Sequence, residues 1–349
     1  MSGIEQVLPL VDEPSLEAKV AFLTSTSAYP HHPSSVESVE THMAWVFLAE
    51  DLVFKLKKPV RYPYLDFSTV DRREFACREE VRLNGRLAPD VYLGAVPLTS
   101  DEHGQLQLGG SGETLDWLVK MKRLPSDRML ETMIARGLGP EDLTAVTDLL
   151  MHFYGHARRE VIQPDEFWRR FVQEYEANAQ VLSDRRFELD RNTTDTTLSL
   201  MKQTLCNLRP EIETRAAGGH IVEGHGDLRP EHIFLTTPPA IIDCLEFNRD
   251  LRLVDPFDEI TFLGLECERL GALWIESLIM TRLRAELSPG PSSQIIAFYR
   301  AARALLRARL ALAHLTEPNP RLPQKWEPRA RAYITIAFAA SKSCSMGTG

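Results

Sequence analysis

The hydrophobic period of the chain changes near residue 120, and this limits the architecture more than any other feature. Before that point apolar residues alternate; after it they recur at three- and four-residue steps. AWVFLAEDLVFKLKKPV (44–60) reads as two β-rich runs around a polar turn at Glu50-Asp51. A helix is expected from Thr69 to Ala88, with Ser68 and Asp71 resembling a capping box and Pro89 ending the run. Val91 to Leu98 and Leu115 to Met121 read as further strands, joined by the polar loop DEHGQLQLGGSGE. Beyond Pro125, helices are expected over Ser126 to Arg136, Pro140 to Val161 and Asp165 to Leu182. This helical part is interrupted at Ile221 to Phe247, where IFL (233–235) and AIID (240–243) flank a turn at Thr237-Pro238-Pro239. The expectation is an α+β protein with a β-rich lobe over 1–118, a hinge near Met121 to Leu124, and a helical lobe over 119–349.

A length of 349 residues suits two lobes and a sizeable core. Lys and Arg number 40 against 49 Asp and Glu, a net charge of −9, so no global basic field exists to hold a nucleic acid or an anionic membrane. The five cysteines are odd in number, widely spaced and never in a CxxC, which argues against a disulfide framework or a zinc knuckle. MSGIEQVLPLVDEPS has neither a basic nor an apolar leader region, and a cytoplasmic location is expected.

The chemistry is concentrated in His225-Gly-Asp-Leu-Arg-Pro-Glu-His232, followed eleven residues later by Asp243 at the end of an apolar strand. This pattern resembles the catalytic loop of the kinase-like superfamily, HxDxxxxN, with a metal-binding Asp on the next hairpin. Phosphoryl transfer wants one carboxylate to receive the acceptor hydroxyl's proton. It also wants a second carboxylate and a neutral ligand to hold divalent cations on the nucleotide phosphates. Asp227 suits the first task and Asp243 the second, with His232 at the position of the neutral ligand. Arg229 sits where protein kinases have the loop Lys that touches the transferred phosphate. Taken singly, each carboxylate also reads as a helix cap or turn residue.

A kinase-like fold also needs a Lys on its third strand and a Glu on the following helix. Lys55 and Lys57 share one face of DLVFKLKK, and Val53 aligns with Lys55 as in a VxK strand; the plainer reading is a solvated edge carrying lysines against aggregation. Placed at 100° steps, Glu80 falls within the arc of Ala76, Cys77, Val81, Leu83 and Leu87. A carboxylate on an apolar arc needs a cation, and Lys55 is the natural one. Glu79 is the fallback.

ETHMAWVFLAEDLVFKLKKPV, LDFSTVDRREFACREEVRLNGRLAPDVYLGAVPL, HGDLRPEHIFL, IIDCLEFNRDLRLVDPFDEITFL and FYRAARALLRARL resemble the aminoglycoside phosphotransferase and choline kinase-like group over roughly residues 40–315. They are most similar to the phosphotransferase half of bacterial proteins that join such a module to a P-loop ATP-binding domain. The resemblance implies a two-lobed protein kinase-like fold, ATP as donor and Mg as cofactor; a small hydroxylated metabolite is the expected acceptor, and the imidazole of His232, which suits softer metals than Mg, makes Mn an alternative. It places Lys55, Glu80 and Met121 with the nucleotide, Asp243 and His232 with the metal, and Asp227 and Arg229 at the reacting groups.

The sequence departs from that pattern in three ways. PSSVESVET (33–41) has no glycine where a glycine-rich loop is expected, no GxxxxGK[ST] occurs, and His232 stands for the expected Asn. The missing glycines and His232 support a rival expectation, a kinase-like nucleotide-binding or scaffold protein that has lost catalysis. Asp258 resembles the family Asp that braces the catalytic loop through backbone N–H groups. Arg300, Arg303 and Arg307 share a helical face and suit either an anionic substrate or buried acids of the same lobe. His152 and His156 are spaced for a metal but lack the HExxH glutamate.

Overall fold

A computed structural model describes residues 14–62, 64–316, 320 and 322–346. The expectation about an N-terminal leader falls largely on residues outside this set. The chain divides into two compact units, one of residues 1–126 with 240–248, the other of 127–239 with 249–349.

Among the described residues unit one contains helix α1 (Leu16–Thr24), β1 (Glu37–Glu40), β2 (Ala44–Ala49), β3 (Leu52–Lys57), the ribbon β4 (Arg61–Tyr62) and β5 (Leu65–Asp66), helix α2 (Val70–Asn84), β6 (Tyr92–Ser100), β7 (Leu106–Leu108) and β8 (Glu113–Lys122). Six strands form one antiparallel sheet in the order β1-β2-β3-β8-β6-β7. The hairpin turns at Glu50-Asp51 as expected, with Glu50 in the left-handed region at φ 56° and its carboxylate accepting from the Ser34 N–H at 2.8 Å. Alternation sorts β3 into two faces. Phe54 and Leu56 are buried with Leu23, Phe47, Leu98 and Leu118 in a core beneath α1, leaving Val53, Lys55 and Lys57 for the opposite face, where Glu80 of α2 meets both lysines.

Three expectations for this unit need correction. The N-cap of α2 is Thr69, whose hydroxyl accepts from Arg72 N–H at 3.3 Å, because Ser68 is taken by the Asp66 carboxylate. The helix ends at Asn84, four residues before Ala88. The polar loop after β6 contains the extra strand β7, paired through Leu98 with Leu108. Helix α1, not anticipated, is anchored by the buried Lys19, which donates to Asp116 at 3.0 Å; Arg73 of α2 grips the same carboxylate through two nitrogens at 2.6 and 3.0 Å.

Unit two is helical: α3 (Leu130–Arg136), α4 (Thr144–His156), α5 (Pro164–Leu182), α6 (Arg191–Asn207), α7 (Arg209–Ala217), α8 (Pro256–Arg269), α9 (Trp274–Glu286), α10 (Ser293–Ala313) and α11 (Pro323–Met346). Tyr154, Ile260, Leu263, Ile279, Tyr299 and Tyr333, contributed by five of these helices, are fully or almost fully buried in it. The helix expected over Pro140 to Val161 stops at His156, because Arg159–Glu160 forms strand β9 against β10 (Ile221–Glu223). The chain passes through β11 (Ile233–Phe234), returns to unit one with β12 (Ala240–Ile241), and re-enters unit two before β13 (Leu253–Val254), which pairs with β10. Among the described residues no helix is long and apolar enough to cross a membrane.

Candidate active site

In unit one, β3 and α2 bring two lysines and one glutamate together. Lys55 Nζ donates to Glu80 Oε1 at 3.0 Å and Lys57 Nζ donates to Glu80 Oε2 at 2.6 Å. The segment 240–248 adds two more carboxylates: Asp243 Oδ1 lies 2.8 Å from Lys55 Nζ, and Glu246 pairs with Lys57. Glu79, by contrast, pairs with Arg82 on the outer side of α2, so Glu80 is the inward carboxylate. Burial opposes charge on Lys55, yet the carboxylates of Asp243 and Glu80 outweigh it and raise its pKa well above normal. Burial would raise Glu80, but the two lysines hold it below the usual carboxylate range. Glu246 goes the other way, pushed up by burial that Lys57 only partly offsets.

Asp243 is the exposed member of this group, its side chain 46% accessible against 1% for Glu80. Its backbone is left-handed at φ 64°, a conformation that a short polar residue tolerates and a branched one does not. Local hydrogen bonds hold it there. The Asp243 N–H donates to the Tyr92 hydroxyl at 3.2 Å, and the Cys244 N–H donates to Asn84 Oδ1 at 2.9 Å, while Asn84 itself donates to the Glu80 carbonyl at 2.8 Å. Met121 lies at the end of β8, nearly buried between Val53 and Tyr92, so it sits in a sheet position rather than in a linker.

In unit two, the loop after β10 carries Asp227. Gly226 adopts φ 89°, where a side chain would be strained. A Cβ on Gly224 would lie 2.7 Å from Glu259 Oε2, so glycine there lets that carboxylate approach the loop. Glu259 is buried at the start of α8; it accepts from His225 N–H at 3.0 Å, Gly226 N–H at 2.5 Å and the Tyr154 hydroxyl at 2.8 Å. The loop brace expected at Asp258 is therefore its neighbour. Asp258 instead receives a two-point hydrogen bond from Arg303 at 2.9 and 2.7 Å. Glu259→Gln is expected to destabilise unit two by about 2 kcal/mol, because an amide nitrogen is placed against donors that had a buried acceptor. Urea unfolding of the variant checks this.

Asp227 is held by Arg229, whose Nη2 lies 2.7 Å from Oδ2; Arg229 also pairs with Glu231. Burial would raise the Asp227 carboxyl, but the Arg229 guanidinium, helped by His232, outweighs it and keeps the carboxyl below its ordinary value. The ring of His232 is buried. Its Nδ1 lies 2.9 Å from the Asp227 carbonyl oxygen, which can only accept, so Nδ1 carries a proton; Nε2 then faces Arg229 Nη2 at 3.3 Å.

The other singled-out residues are satisfied by protein. Arg300 pairs with Glu276 and Glu268, and Arg307 donates to Glu266 at 2.7 Å, so these arginines and Arg303 meet buried or half-buried acids of their own unit. His156 Nδ1 donates to the His152 carbonyl at 2.9 Å. Among the described residues no three His, Cys, Asp or Glu side chains gather as a metal cage. Sequence reasoning missed Glu246 and Glu259; the signal for the first was Lys57, a second lysine on the Lys55 face that also needed a carboxylate.

No family profile matches the chain. It is 31% identical over 288 residues to uncharacterised proteins of Mycobacterium tuberculosis and Mycobacterium bovis; the match covers 80% of this chain and 55% of theirs, so the chain spans about half the length of these curated relatives. Among solved structures, aminoglycoside 2'-phosphotransferase-IIIa in its GDP complex superposes with a TM-score of 0.57 at 14% identity, covering 93% of this chain and 99% of that one. The choline kinase of Cryptosporidium parvum Iowa II gives 0.54 at 10% identity, covering 94% and 96%. A glucosamine kinase bound to glucosamine, ADP and inorganic phosphate gives 0.53 at 11%, covering 94% and 87%. A β-rich unit followed by a helical one, with this likeness over nearly the whole chain, gives the protein the kinase-like fold shared by aminoglycoside phosphotransferases and choline kinases.

Proposed function

We propose that the protein is an ATP-dependent phosphotransferase that moves the γ-phosphate to a hydroxyl of a small metabolite, in a reducing, cytoplasmic setting suited to its five unpaired cysteines. The observation that carries this reading is the Lys55–Glu80 pair with Asp243 on the same lysine, because it is a phosphate-binding cation already oriented beside a hard-oxygen ligand. In this reading Lys55 leaves Asp243 for the nucleotide phosphates while Glu80 keeps its ammonium in place. Asp227 accepts the acceptor hydroxyl's proton at its carboxylate, and Arg229 steadies the charge of that carboxylate and of the transferred group.

The residues present fit a small divalent cation held through one carboxylate, water and phosphate oxygens rather than through a protein cage: Asp243 is a half-exposed hard-oxygen donor, and no cage exists among the described residues. Bound there, Mg would neutralise phosphate charge. His232 fits a ligand role poorly, since one nitrogen donates to a carbonyl and the other faces a guanidinium; we read it as a brace of the loop. His232→Asn is accordingly expected to leave the preference between Mg and Mn unchanged, compared through initial rates with each metal. A shift towards Mg would restore His232 as a ligand.

The rival reading, a nucleotide binder without turnover, draws on two observations. The turn from β1 to β2, closed by Thr41 N–H on the Ala44 carbonyl at 2.8 Å, has no glycine to bring the backbone close to phosphates, and Arg229 occupies Asp227. ATP consumption measured against sugars, amino alcohols and aminoglycosides separates the two: acceptor-dependent turnover supports the kinase, and tight nucleotide binding without it supports the rival.

A further inference from the structure

We infer that Lys57 and Glu246 are positioning residues for Lys55, acting through Glu80 in a relay that runs Glu246, Lys57, Glu80, Lys55, Asp243; this rests on the nucleotide-binding reading of Lys55. The relay has a definite geometry. Glu80 divides its two oxygens, Oε1 to Lys55 at 3.0 Å and Oε2 to Lys57 at 2.6 Å, so the carboxylate cannot rotate without breaking the second bond. Lys57 is 1% accessible and Glu246 8%, whereas Asp243 at the far end is 46% accessible. The buried end is thus the anchor and the exposed end the working end.

Strand geometry explains the arrangement. Residues 55 and 57 share a face roughly 7 Å apart, a span that one carboxylate can bridge with its two oxygens. Lys57 is set further by the ring of Phe67, 5.0 Å from its Nζ. A lone Glu80 would give its whole charge to Lys55. Shared with Lys57, it holds the Lys55 ammonium in direction while leaving it enough attraction for phosphate oxygens. Glu246 completes the balance, because a second buried lysine without its own carboxylate would carry an uncompensated charge.

The test uses calorimetric binding of ADP with Mg to the full chain. Lys57→Met alone strands the buried carboxylate of Glu246 while Glu80 keeps Lys55, so the informative variant is the charge-balanced Lys57→Met with Glu246→Gln, alongside Glu246→Gln alone, which keeps the side chain's shape. The relay predicts about tenfold weaker binding in the double variant and a smaller loss in the single one. It also predicts less than a twofold further effect when the double change is made in a Lys55→Met background, since the pair acts only through Lys55. Parental affinity in the variants, or the same tenfold loss in the Lys55→Met background, would overturn it. A parent protein that binds no nucleotide would remove the reading beneath the relay, and the relay with it, whereas weakening by Lys55→Met without weakening by the pair change would remove the relay alone.

Discussion

Asp227→Asn is expected to lower phosphoryl transfer by about a thousandfold while leaving nucleotide affinity within a factor of two. The substitution keeps shape but removes the proton acceptor and with it the charge that pairs with Arg229; the nucleotide contacts proposed for Lys55 are made by other groups. The pH dependence follows from the direction of the Asp227 shift. Against the opposing effect of burial, Arg229 holds the carboxyl below the ordinary Asp value, which favours the ionised form that the proposed base needs. An acid limb of kcat/KM due to Asp227 is therefore expected below the ordinary Asp range. Its pairing with Arg229 adds stability that is present above the unfolded-state pKa and is lost as pH falls through the lower folded-state value. Comparable turnover in variant and parent would remove Asp227 from the chemistry.

The second large effect concerns Lys55. Lys55→Ala should weaken nucleotide binding by about tenfold or more and lower turnover by about a hundredfold, because a positioned cation is lost from the phosphates. Glu80→Gln should reproduce most of the turnover loss, since both lysines then lose the charge that orients them. Glu79→Gln should change neither quantity by more than about twofold, as its partner Arg82 is a half-exposed surface residue of the same helix. Steady-state kinetics with varied ATP separates the affinity change from the turnover change. A large effect at position 79 and none at 80 would contradict the register in which α2 faces the sheet.

Much of this site was legible in the sequence because its signals are local. The β2–β3 hairpin declared itself by alternation around Glu50-Asp51, and the 3.6-residue period alone pointed Glu80 towards the apolar side and Glu79 away from it. The unread parts depend on distance along the chain or on weak patterns. Strand β1 reads Glu-Ser-Val-Glu and is almost wholly exposed, so no buried face marks it as a strand. Glu246 lies 189 residues from the lysine it pairs with, and only the return of 240–248 to unit one brings the two together. The loop brace was displaced by one residue because the Asp-Pro-Phe-Asp-Glu run carries two adjacent acids at the start of α8. Only the packing of that helix decides that Asp258 turns to Arg303 while Glu259 turns to the loop. His232 shows the opposite limit: its departure from the expected Asn was plain in the sequence, but the partners that occupy both ring nitrogens were not.

In the proposed reaction the γ-phosphate leaves ATP for a hydroxyl acceptor. The most direct measurement follows labelled γ-phosphate from ATP in the presence of Mg and a panel of sugars, amino alcohols and aminoglycosides, with the parent protein and Asp227→Asn side by side. Label covalently bound to at least one hydroxylated acceptor is expected with the parent and almost none with the variant. Label that remains in ATP with every acceptor, or that reaches an acceptor equally well in both proteins, would contradict it.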